Sequence, residues 1–425
     1  MKKTYGLLGE KLSHSYSPLI HGYLGDYDYP LYEVQPDDLD SFMSERHFDG
    51  INITLPYKQS VAPYCATLSD EARAIGSVNT IIKDKSGALH GYNTDYHGFM
   101  TMLEYGGIDA KDKKALVLGD GGSARTVRVV LRERGAREIV TVSRRGENNY
   151  GNIERHYDAE IIVNTTPVGM YPHNGASPLS LAGFRRLAGV ADLIYNPLRT
   201  TLLLEAERLG VPCANGLIML AAQAEMASRL FLYGPARPEL AAEIHSAILR
   251  KIQNIALIGM PGCGKSTAGR ALARMLGRPF ADIDEGIETA AGKPIPMIFA
   301  EDGEEAFRRL ETRVLAEETG KSGAVIATGG GAVTRAENYD LLRQNSVIVY
   351  LQRDISGLAT GGRPLSAGKD GLRALAAARL PLYEAWCDCT VRTAPEAERT
   401  AAGILEIISG AARYDATRGA SASRS

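Results

Sequence analysis

A glycine-rich turn in the second half of the chain carries the residues with the sharpest chemical signature. Residues 259–267, Gly-Met-Pro-Gly-Cys-Gly-Lys-Ser-Thr, fulfil the pattern G-x-x-x-x-G-K-[ST] between an apolar run and a helical pattern. In such a turn the backbone N–H groups wrap phosphates, Lys265 reaches the β- and γ-phosphates, and the Ser266 hydroxyl binds Mg²⁺. The turn therefore predicts phosphoryl transfer from ATP. The predicted ATP contacts are Gly259, Pro261, Gly262, Cys263, Gly264, Lys265, Ser266 and Thr267, with Cys263 as a small solvent-facing filler rather than a reactive thiol.

A second glycine turn lies earlier, at residues 119–125, where a strand pattern gives way to a helical one. Alone it is weak evidence, because the same residues are typical of any tight helix entry. The next strand pattern ends in Ser143, Arg144 and Arg145, where an NAD site would carry an acidic residue for the ribose 2′-hydroxyl. Arginine suits a 2′-phosphate, so the predicted cofactor is NADP(H), although Asp120 would repel a pyrophosphate unless it turns away. The predicted contacts here are Gly119, Gly121, Gly122, Ser123, Ala124, Ser143, Arg144 and Arg145.

Four polar strings precede that turn without an evident structural reason. They are residues 13–18, 52–58, 76–80 and 91–95, and they are rich in hydroxyl and amide side chains. Set at the ends of apolar runs, they suit a pocket for a ligand with several hydroxyl groups, each of which needs a hydrogen-bond partner once it is desolvated.

The whole chain must supply the elements that hold these residues. Its 425 residues suggest two or three domains, and 44% apolar and 23% charged residues are typical of folded proteins. Short apolar runs alternate with helical periodicity, which predicts βαβ units and parallel sheets. A net charge of -2 gives no field for nucleic acid or membrane, and no apolar run is long enough to span a bilayer. Five scattered cysteines predict no disulfide framework and favour a reducing cytoplasm.

Residues 254 to about 410 resemble shikimate kinase over nearly their whole length. The resemblance rests on the ATP turn together with Asp282-Ile-Asp284, Phe307-Arg-Arg-Leu-Glu311, Gly329-Gly-Gly331 and Gly361-Gly-Arg-Pro-Leu365. It implies that Asp282 assists Mg²⁺ through water beside Ser266, and that Asp284 orients the shikimate 3-hydroxyl. It also implies substrate contacts from Asp284, Arg308, Gly329, Gly330, Gly331 and Arg379, with both arginines on the carboxylate, Glu311 supporting Arg308, and Arg363 as a catalytic lid arginine. The lid is short, and Ala359 stands where many relatives place an arginine beside the adenine.

The four polar strings, with Asn164-Thr-Thr-Pro-Val-Gly169 and Gly216-Leu-Ile-Met-Leu-Ala-Ala-Gln223, resemble shikimate dehydrogenase over residues 1 to about 248. The resemblance implies that Lys58 and Asp95 are the catalytic pair, with the Lys58 ammonium donating a proton as hydride reaches 3-dehydroshikimate. Ser15 and Ser17 would hold the substrate carboxylate. Further substrate contacts would be Asn52, Thr54, Asn79, Tyr195 and Gln223, and further cofactor contacts Thr165, Gly216 and Met219, although Met219 also suits a helix core.

The sequence thus predicts an α/β protein: a two-lobed dehydrogenase with a Rossmann-like NADP lobe, then a P-loop domain of the nucleoside-monophosphate-kinase type with a five-stranded parallel sheet. The predicted divisions are a substrate lobe at 1–98 completed by a helix at 216–248, an NADP lobe at 99–215, a linker at 249–253, a kinase domain at 254–410 and a mobile tail at 411–425. The predicted function is NADPH-dependent reduction of 3-dehydroshikimate, then phosphorylation of the shikimate 3-hydroxyl by ATP with Mg²⁺. The predicted partners are these small molecules, and the oligomeric state stays open.

Three alternatives remain open at this point. The C-terminal half suits a nucleotide-binding regulatory module if the short lid weakens catalysis, although Lys265, Asp284, Arg308 and Arg363 argue against it. The N-terminal half suits a dehydrogenase that uses NAD and acts on quinate or another ring acid, and replacement of Arg144 would discriminate. The C-terminal half also suits a kinase for another small molecule.

Overall fold

The computed structural model describes residues 3–12, 15–235, 237–354 and 368–418, except for the side chains of 238, 368–370, 372 and 411–418. The predicted lid residues Arg363 and Ala359 lie outside the described residues, as do residues 419–425 of the predicted tail. The chain forms two compact units. Unit 1 comprises residues 1–169, 176–195 and 205–248, and unit 2 comprises 170–175, 196–204 and 249–425.

Unit 1 begins with a six-stranded mixed sheet. Its strands are β1 (Tyr5–Gly9), β2 (Leu31–Glu33), β3 (Gly50–Ile53), β4 (Thr67–Leu68), β5 (Thr80–Lys83) and β6 (Leu89–Tyr92), in the order β2-β1-β3-β5-β6-β4. The accompanying helices are α1 (Ser17–Leu24), α2 (Leu39–Glu45), α3 (Asp70–Ile75) and α4 (Thr94–Tyr105), with 3-10 helices at Pro36–Asp38 and Ala62–Tyr64. Leu8, Ile51 and Ile81, from β1, β3 and β5, are fully buried and form part of the core beneath the sheet.

The expectation of parallel pairing is wrong for β5, which runs antiparallel to both β3 and β6. A tight turn joins β5 to β6, and in it the Asp84 carboxylate accepts hydrogen bonds from the backbone N–H groups of Ser86 and Ala88. Gly87 has a φ of 87°, a left-handed conformation that favours glycine. So short a connection returns the chain beside the strand it leaves, and the pair must be antiparallel.

A fully parallel five-stranded sheet follows in unit 1. Its strands are β7 (Lys114–Leu118), β8 (Glu138–Val142), β9 (Ile161–Asn164), β10 (Gly189–Asp192) and β11 (Cys213–Asn215), in the order β11-β10-β9-β7-β8. The intervening helices are α5 (Gly122–Glu133) and α6 (Thr201–Arg208), with a 3-10 helix at Tyr150–His156. Strand β7 is buried throughout, as expected for a central parallel strand covered on both faces. Ala124, Val127 and Leu131 lie on the buried face of α5, as their spacing predicts.

Two helices stand where the sequence predicted one at 216–248. Helix α7 (Gly216–Leu232) ends before Tyr233, whose φ of 52° is left-handed, and α8 (Pro238–Ile252) begins at a proline. Proline has no N–H to donate within a helix, so Pro238 suits a helix start and opposes a continuous helix. Helix α8 continues to Ile252, so most of the predicted linker at 249–253 is helical. The domain division itself stays a prediction.

Unit 2 is built on the five-stranded parallel sheet that the sequence predicted. Its strands are β12 (Asn254–Ile258), β13 (Phe280–Asp282), β14 (Val325–Ala327), β15 (Ser346–Gln352) and β16 (Cys389–Arg392), in the order β13-β14-β12-β15-β16. Its helices are α9 (Lys265–Leu276), α10 (Ile283–Ala291), α11 (Ile295–Glu301), α12 (Gly303–Gly320), α13 (Ala336–Asn345), α14 (Gly368–Trp386) and α15 (Ala397–Arg418), with a 3-10 helix at Ala332–Thr334. The central strand β12 is buried along its length, which places the core on both sides of the sheet. Within the described ranges of both units, no helix is long and apolar enough to cross a membrane.

Gly216, at the start of α7, gives a direct test of packing in unit 1. A Cβ there would overlap the carbonyl group of Leu193, which follows β10. We expect Gly216→Ala to lower the free energy of unfolding by about 1–3 kcal/mol, because backbone atoms yield less readily than a flexible side chain. Thermal unfolding measures the change. Gly22→Ala on α1 is the control, since a Cβ there meets nothing within 4 Å, and an unchanged midpoint for Gly216→Ala would contradict the packing.

Candidate active sites

Unit 1 contains a cavity of about 590 Å³ that gathers the predicted dehydrogenase residues. Every residue predicted for substrate binding or catalysis in this half lines it: Ser15, Ser17, Asn52, Thr54, Lys58, Asn79, Asp95, Tyr195 and Gln223. These residues come from the ends of β1 and β3, the start of α4, the end of β10 and helix α7. Segments that are far apart in the sequence therefore line the same cavity.

The Lys58 ammonium and the Asp95 carboxylate meet at this cavity, with Nζ 2.5 Å from Oδ2. Asp95 lies in the first turn of α4, where Asn93 caps the helix by accepting a hydrogen bond from the Tyr96 N–H. The positive end of the helix dipole stabilises a carboxylate at this position. Side-chain exposures of 23% for Lys58 and 15% for Asp95 leave the pair accessible while reducing its screening by solvent. Such a pair can act as a proton donor, with the carboxylate holding the ammonium in position.

Buried amide groups form a hydrogen-bond network along the same cavity. Asn52 Nδ2 donates to Thr80 Oγ1 at 2.9 Å, and the Thr94 backbone N–H donates to Asn79 Oδ1 at 2.7 Å. Thr94 Oγ1 lies 3.3 Å from Gln223 Oε1 and so joins α4 to α7. These contacts orient the amides through protein groups alone, which suits recognition of a ligand with several hydroxyl groups.

The serines and Tyr195 supply further hydrogen-bonding groups. Ser17 is the first residue of α1, and its backbone N–H donates to Ser15 Oγ at 3.2 Å. Burial raises the pKa of the Tyr195 phenol, so this side chain is neutral at physiological pH and its O–H is available as a donor. Neutral donors of this kind can bind a carboxylate or a ring hydroxyl.

The first glycine turn has the geometry of a phosphate-binding helix start. Gly119 has a φ of 103°, and a Cβ there would lie 2.7 Å from Thr165 Oγ1. Helix α5 begins at Gly122 without a side-chain cap, and Cβ atoms at Gly121 or Gly122 would meet nothing within 4 Å. Free N–H groups facing open space fit a pyrophosphate.

Some of the remaining predicted NADP contacts line the cavity, and others lie outside it. Ser123, Gly216 and Met219 line the cavity, whereas Arg144 and Arg145 are exposed after β8. Thr165 Oγ1 donates to the Leu118 carbonyl at 2.6 Å, so its hydroxyl hydrogen is already used by the backbone. The roles of these residues stay predictions.

Unit 2 has its own cavity of about 590 Å³ above the second glycine turn. Gly259, Gly262 and Gly264 have φ values of 146°, 80° and 101°, which favour glycine at each position. Helix α9 begins at Lys265 without a side-chain cap, and Lys265 Nζ donates to the carbonyls of Gly259 at 2.8 Å and Met260 at 3.2 Å. A lysine held across a loop of free N–H groups fits the phosphates of a nucleotide.

Cys263 departs from its predicted position, and Asp282 closes β13 without lining the cavity. The Cys263 side chain is 1% exposed and belongs to the core, so its expected solvent-facing placement is wrong. The Asp282 carboxylate caps α10 by accepting a hydrogen bond from the Asp284 N–H at 3.1 Å, and Asp282 is not among the residues that line the cavity. Asp284 and Ser266 do line it. A role for Asp282 toward Mg²⁺ stays a prediction.

A compact charge cluster faces the cavity of unit 2. Buried Arg308 donates through Nη1 to Glu311 Oε2 at 2.7 Å and through Nη2 to Glu304 Oε1 at 3.2 Å. Burial is the main cause that raises the pKa of Glu311, whose Oε1 has no hydrogen-bond partner within the described residues. On the other side, Arg379 Nη1 donates to the Gly330 carbonyl at 3.0 Å. The two guanidinium groups are thus fixed before any anion binds.

Comparison with known proteins identifies both halves. The family model described as "Shikimate dehydrogenase substrate binding domain" matches residues 7–81, and the model described as "Shikimate kinase" matches residues 261–409. A shikimate dehydrogenase (NADP(+)) of Clostridium beijerinckii is 37% identical over 246 residues, which cover 53% of this chain and 91% of that protein. The chain belongs to the shikimate dehydrogenase family. A shikimate kinase domain follows the dehydrogenase region, so the resemblance found in each half is confirmed.

Solved structures support the fold of the dehydrogenase region. A chorismate mutase/shikimate 5-dehydrogenase fusion protein from Clostridium acetobutylicum is 34% identical with a TM-score of 0.55, covering 58% of this chain and 97% of that one. A shikimate 5-dehydrogenase from Thermus thermophilus, in complex with NADP(H) and shikimate, is 33% identical with a TM-score of 0.53, covering 58% and 99%. The predicted α/β fold class, with its Rossmann-like lobe and its kinase domain, is confirmed.

Several residues of these sites escaped the sequence analysis. Lys11 lines the dehydrogenase cavity, and Glu288, Phe299, Phe307, Thr328 and Arg353 line the kinase cavity. The Tyr383 hydroxyl donates to the Gly330 carbonyl at 2.5 Å, beside Arg379 on α14. Arg353 follows β15 and was detectable in principle, because the ends of parallel strands converge on such sites. The other missed residues have no neighbouring sequence pattern that would mark them as part of a site.

Gly329 offers a test of the kinase cavity. A Cβ there would overlap Glu311 Oε1 and lie 2.9 Å from Asp284 Oδ1. We expect Gly329→Ala to lower kcat/KM of the kinase domain toward shikimate by about tenfold or more, because displaced carboxylates lose their geometry. The control is Gly403→Ala on α15, where the nearest atom to a Cβ is Val391 Cγ1 at an ordinary 3.7 Å. Initial-rate kinetics decide, and equal effects of the two substitutions would refute the assigned packing.

Proposed function

We propose that this chain reduces 3-dehydroshikimate to shikimate with NADPH and then phosphorylates the shikimate 3-hydroxyl with ATP. The observation that carries the first activity is the Lys58–Asp95 contact of 2.5 Å inside a cavity lined by hydroxyl and amide groups. The family matches of the two halves support the pairing of a dehydrogenase with a kinase. The product of the first reaction is the acceptor of the second, so one chain would hold two consecutive steps.

In the dehydrogenase reaction, bound NADPH would supply the hydride. Ser15 and Ser17 bind the substrate carboxylate, and the neighbouring amides bind the ring hydroxyls. As negative charge develops on the carbonyl oxygen, Lys58 Nζ donates a proton to it, and Asp95 holds the ammonium in position. In the reverse direction the neutral Lys58 amine accepts that proton from the hydroxyl.

In the kinase reaction, ATP and Mg²⁺ would supply the phosphoryl group and neutralise its charge. Asp284 orients the acceptor hydroxyl, and Arg308 and Arg379 bind the substrate carboxylate. Lys265 exchanges its two carbonyl partners for the phosphates, and Ser266 and Asp282 are the proposed metal-side residues. In phosphoryl transfer the protein mainly positions the reactants and supplies positive charge to the transferred group. The lid role of Arg363 is a proposal about a residue outside the described part of the chain.

The charges of both cavities suit the same monoanionic ring acid. Among the residues that line the dehydrogenase cavity are two cations, Lys11 and Lys58, and one anion, Asp95. The kinase cavity is lined by Lys265, Arg308, Arg353 and Arg379 against Asp284, Glu288 and Glu311. One excess positive charge in each lining favours a carboxylate ligand.

The alternative functions are less well supported. A purely regulatory C-terminal module would not need Lys265, Asp284 and Arg308 in one cavity. The proposal includes a cytoplasmic location, which the five scattered cysteines favour, and small molecules as the only partners.

Mass analysis of products tests both activities together. The purified chain is mixed with 3-dehydroshikimate, NADPH, ATP and Mg²⁺, alongside its Lys58→Ala and Lys265→Ala variants. We expect shikimate 3-phosphate from the wild type, shikimate from the Lys265 variant and neither product from the Lys58 variant. Shikimate alone from the wild type would make the C-terminal half a binding module and contradict the kinase assignment.

Cofactor selection is tested at Arg144, which is exposed beyond the carboxyl end of β8. We expect Arg144→Ala to raise KM for NADP⁺ by about tenfold, because a charge-assisted hydrogen bond to the 2′-phosphate is lost, and to leave KM for NAD⁺ nearly unchanged. Arg137→Ala, at the opposite end of β8, is the matched control. An equal change in KM for NADP⁺ and for NAD⁺ would contradict a contact between Arg144 and the 2′-phosphate.

A further inference from the structure

Tyr29 contacts two residues of the dehydrogenase site without lining the cavity itself. Its hydroxyl donates to Asn52 Oδ1 at 2.7 Å and approaches the Ser17 side chain. Both Asn52 and Ser17 line the cavity. Tyr29 precedes β2, so these contacts join three segments: the start of α1, the approach to β2 and the end of β3.

The remaining contacts of Asn52 fix which of its atoms faces Tyr29. Nδ2 donates to Thr80 Oγ1 at 2.9 Å and approaches the Asn79 carbonyl oxygen at 3.4 Å. Because the amide hydrogens point toward these acceptors, Oδ1 faces the phenol, and the phenol must be the donor. The Tyr29 oxygen then keeps a lone pair that can accept from the Ser17 hydroxyl. The phenol thus sets the orientation of Asn52 and offers an acceptor to Ser17.

Aromatic packing against His21 supports the Tyr29 ring. The His21 ring stacks on it with centroids 3.8 Å apart and planes 12° from parallel, and His21 Nδ1 lies 2.7 Å from the Tyr27 hydroxyl. Burial lowers the pKa of His21 to about 3, so the ring stays neutral at physiological pH. The support under Tyr29 therefore keeps one charge state throughout the working range of the enzyme.

We propose that Tyr29 is a positioning residue of the dehydrogenase, whose hydroxyl fixes Asn52 and Ser17 in the orientations that bind shikimate. The inference rests on the proposed function and deepens it. Tyr29 acts through these two side chains and has no contact with the reacting atoms. Its loss weakens binding of ground state and transition state alike, so it raises KM and leaves kcat nearly unchanged.

The test measures shikimate oxidation with saturating NADP⁺ for the wild type, Tyr29→Phe and the control Tyr5→Phe. Tyr29→Phe keeps the ring that stacks on His21 and removes only the hydroxyl. We expect KM for shikimate to rise about fivefold, the effect of one lost hydrogen bond, with kcat within about twofold of the wild type. Tyr5→Phe removes another buried hydroxyl of the same lobe. That hydroxyl donates to the Phe231 carbonyl at 2.6 Å, neither residue lines the cavity, and KM should stay unchanged.

A double-mutant cycle separates positioning from general destabilisation. On an Asn52→Ala background, Tyr29→Phe should raise KM by a smaller factor than it does in the wild type, because one of its two targets is gone. Thermal unfolding of every variant accompanies the kinetics. Full additivity of the two substitutions, or equal rises in KM for Tyr29→Phe and Tyr5→Phe, would overturn the inference. Shikimate oxidation by the wild type would still support the dehydrogenase assignment. A wild type that does not oxidise shikimate would overturn both.

Discussion

The parallel pairing of strands is the constraint on which both sites depend. Parallel strands deliver the loops that follow them to one edge of the sheet, at a spacing fixed by the hydrogen bonds between strands. In unit 1 this edge receives Tyr195 after β10 and Gly216 after β11. In unit 2 it receives the glycine turn after β12, Asp284 after β13 and Gly329 after β14. Residues separated by tens of positions meet there without any local preference for one another.

The parts of the sites that the sequence predicts are those in which the backbone demands a particular residue type. Gly259, Gly262 and Gly264 all have positive φ values, so the spacing of glycines reveals the shape of the loop before any contact is known. The same holds for the buried face of α5, which the spacing of its apolar residues defines. In the polar strings, the identity and order of the residues carry enough family signal to predict which of their side chains line the cavity.

The rest depends on contacts between residues that are distant in the chain. Nothing around Tyr29 or Tyr383 marks them, because their roles arise only when Asn52 or Gly330 is brought alongside. Asp282 shows a local competition instead: its carboxylate bonds the adjacent backbone and caps α10, an option open to any aspartate at a helix start. The antiparallel β5 was missed because the apolar periodicity of a strand does not contain its direction.

The burial of Cys263 has a consequence for how the kinase domain responds to its chemical surroundings. Its sulfur lies beneath the phosphate turn, and a Cβ on Gly259 would lie 3.0 Å from it. Oxidants and alkylating agents need an accessible thiolate, and this side chain is 1% exposed. Peroxide reaches the thiol only after the turn has opened. The glycine turn is therefore protected from oxidation at the sulfur atom that lies directly beneath it.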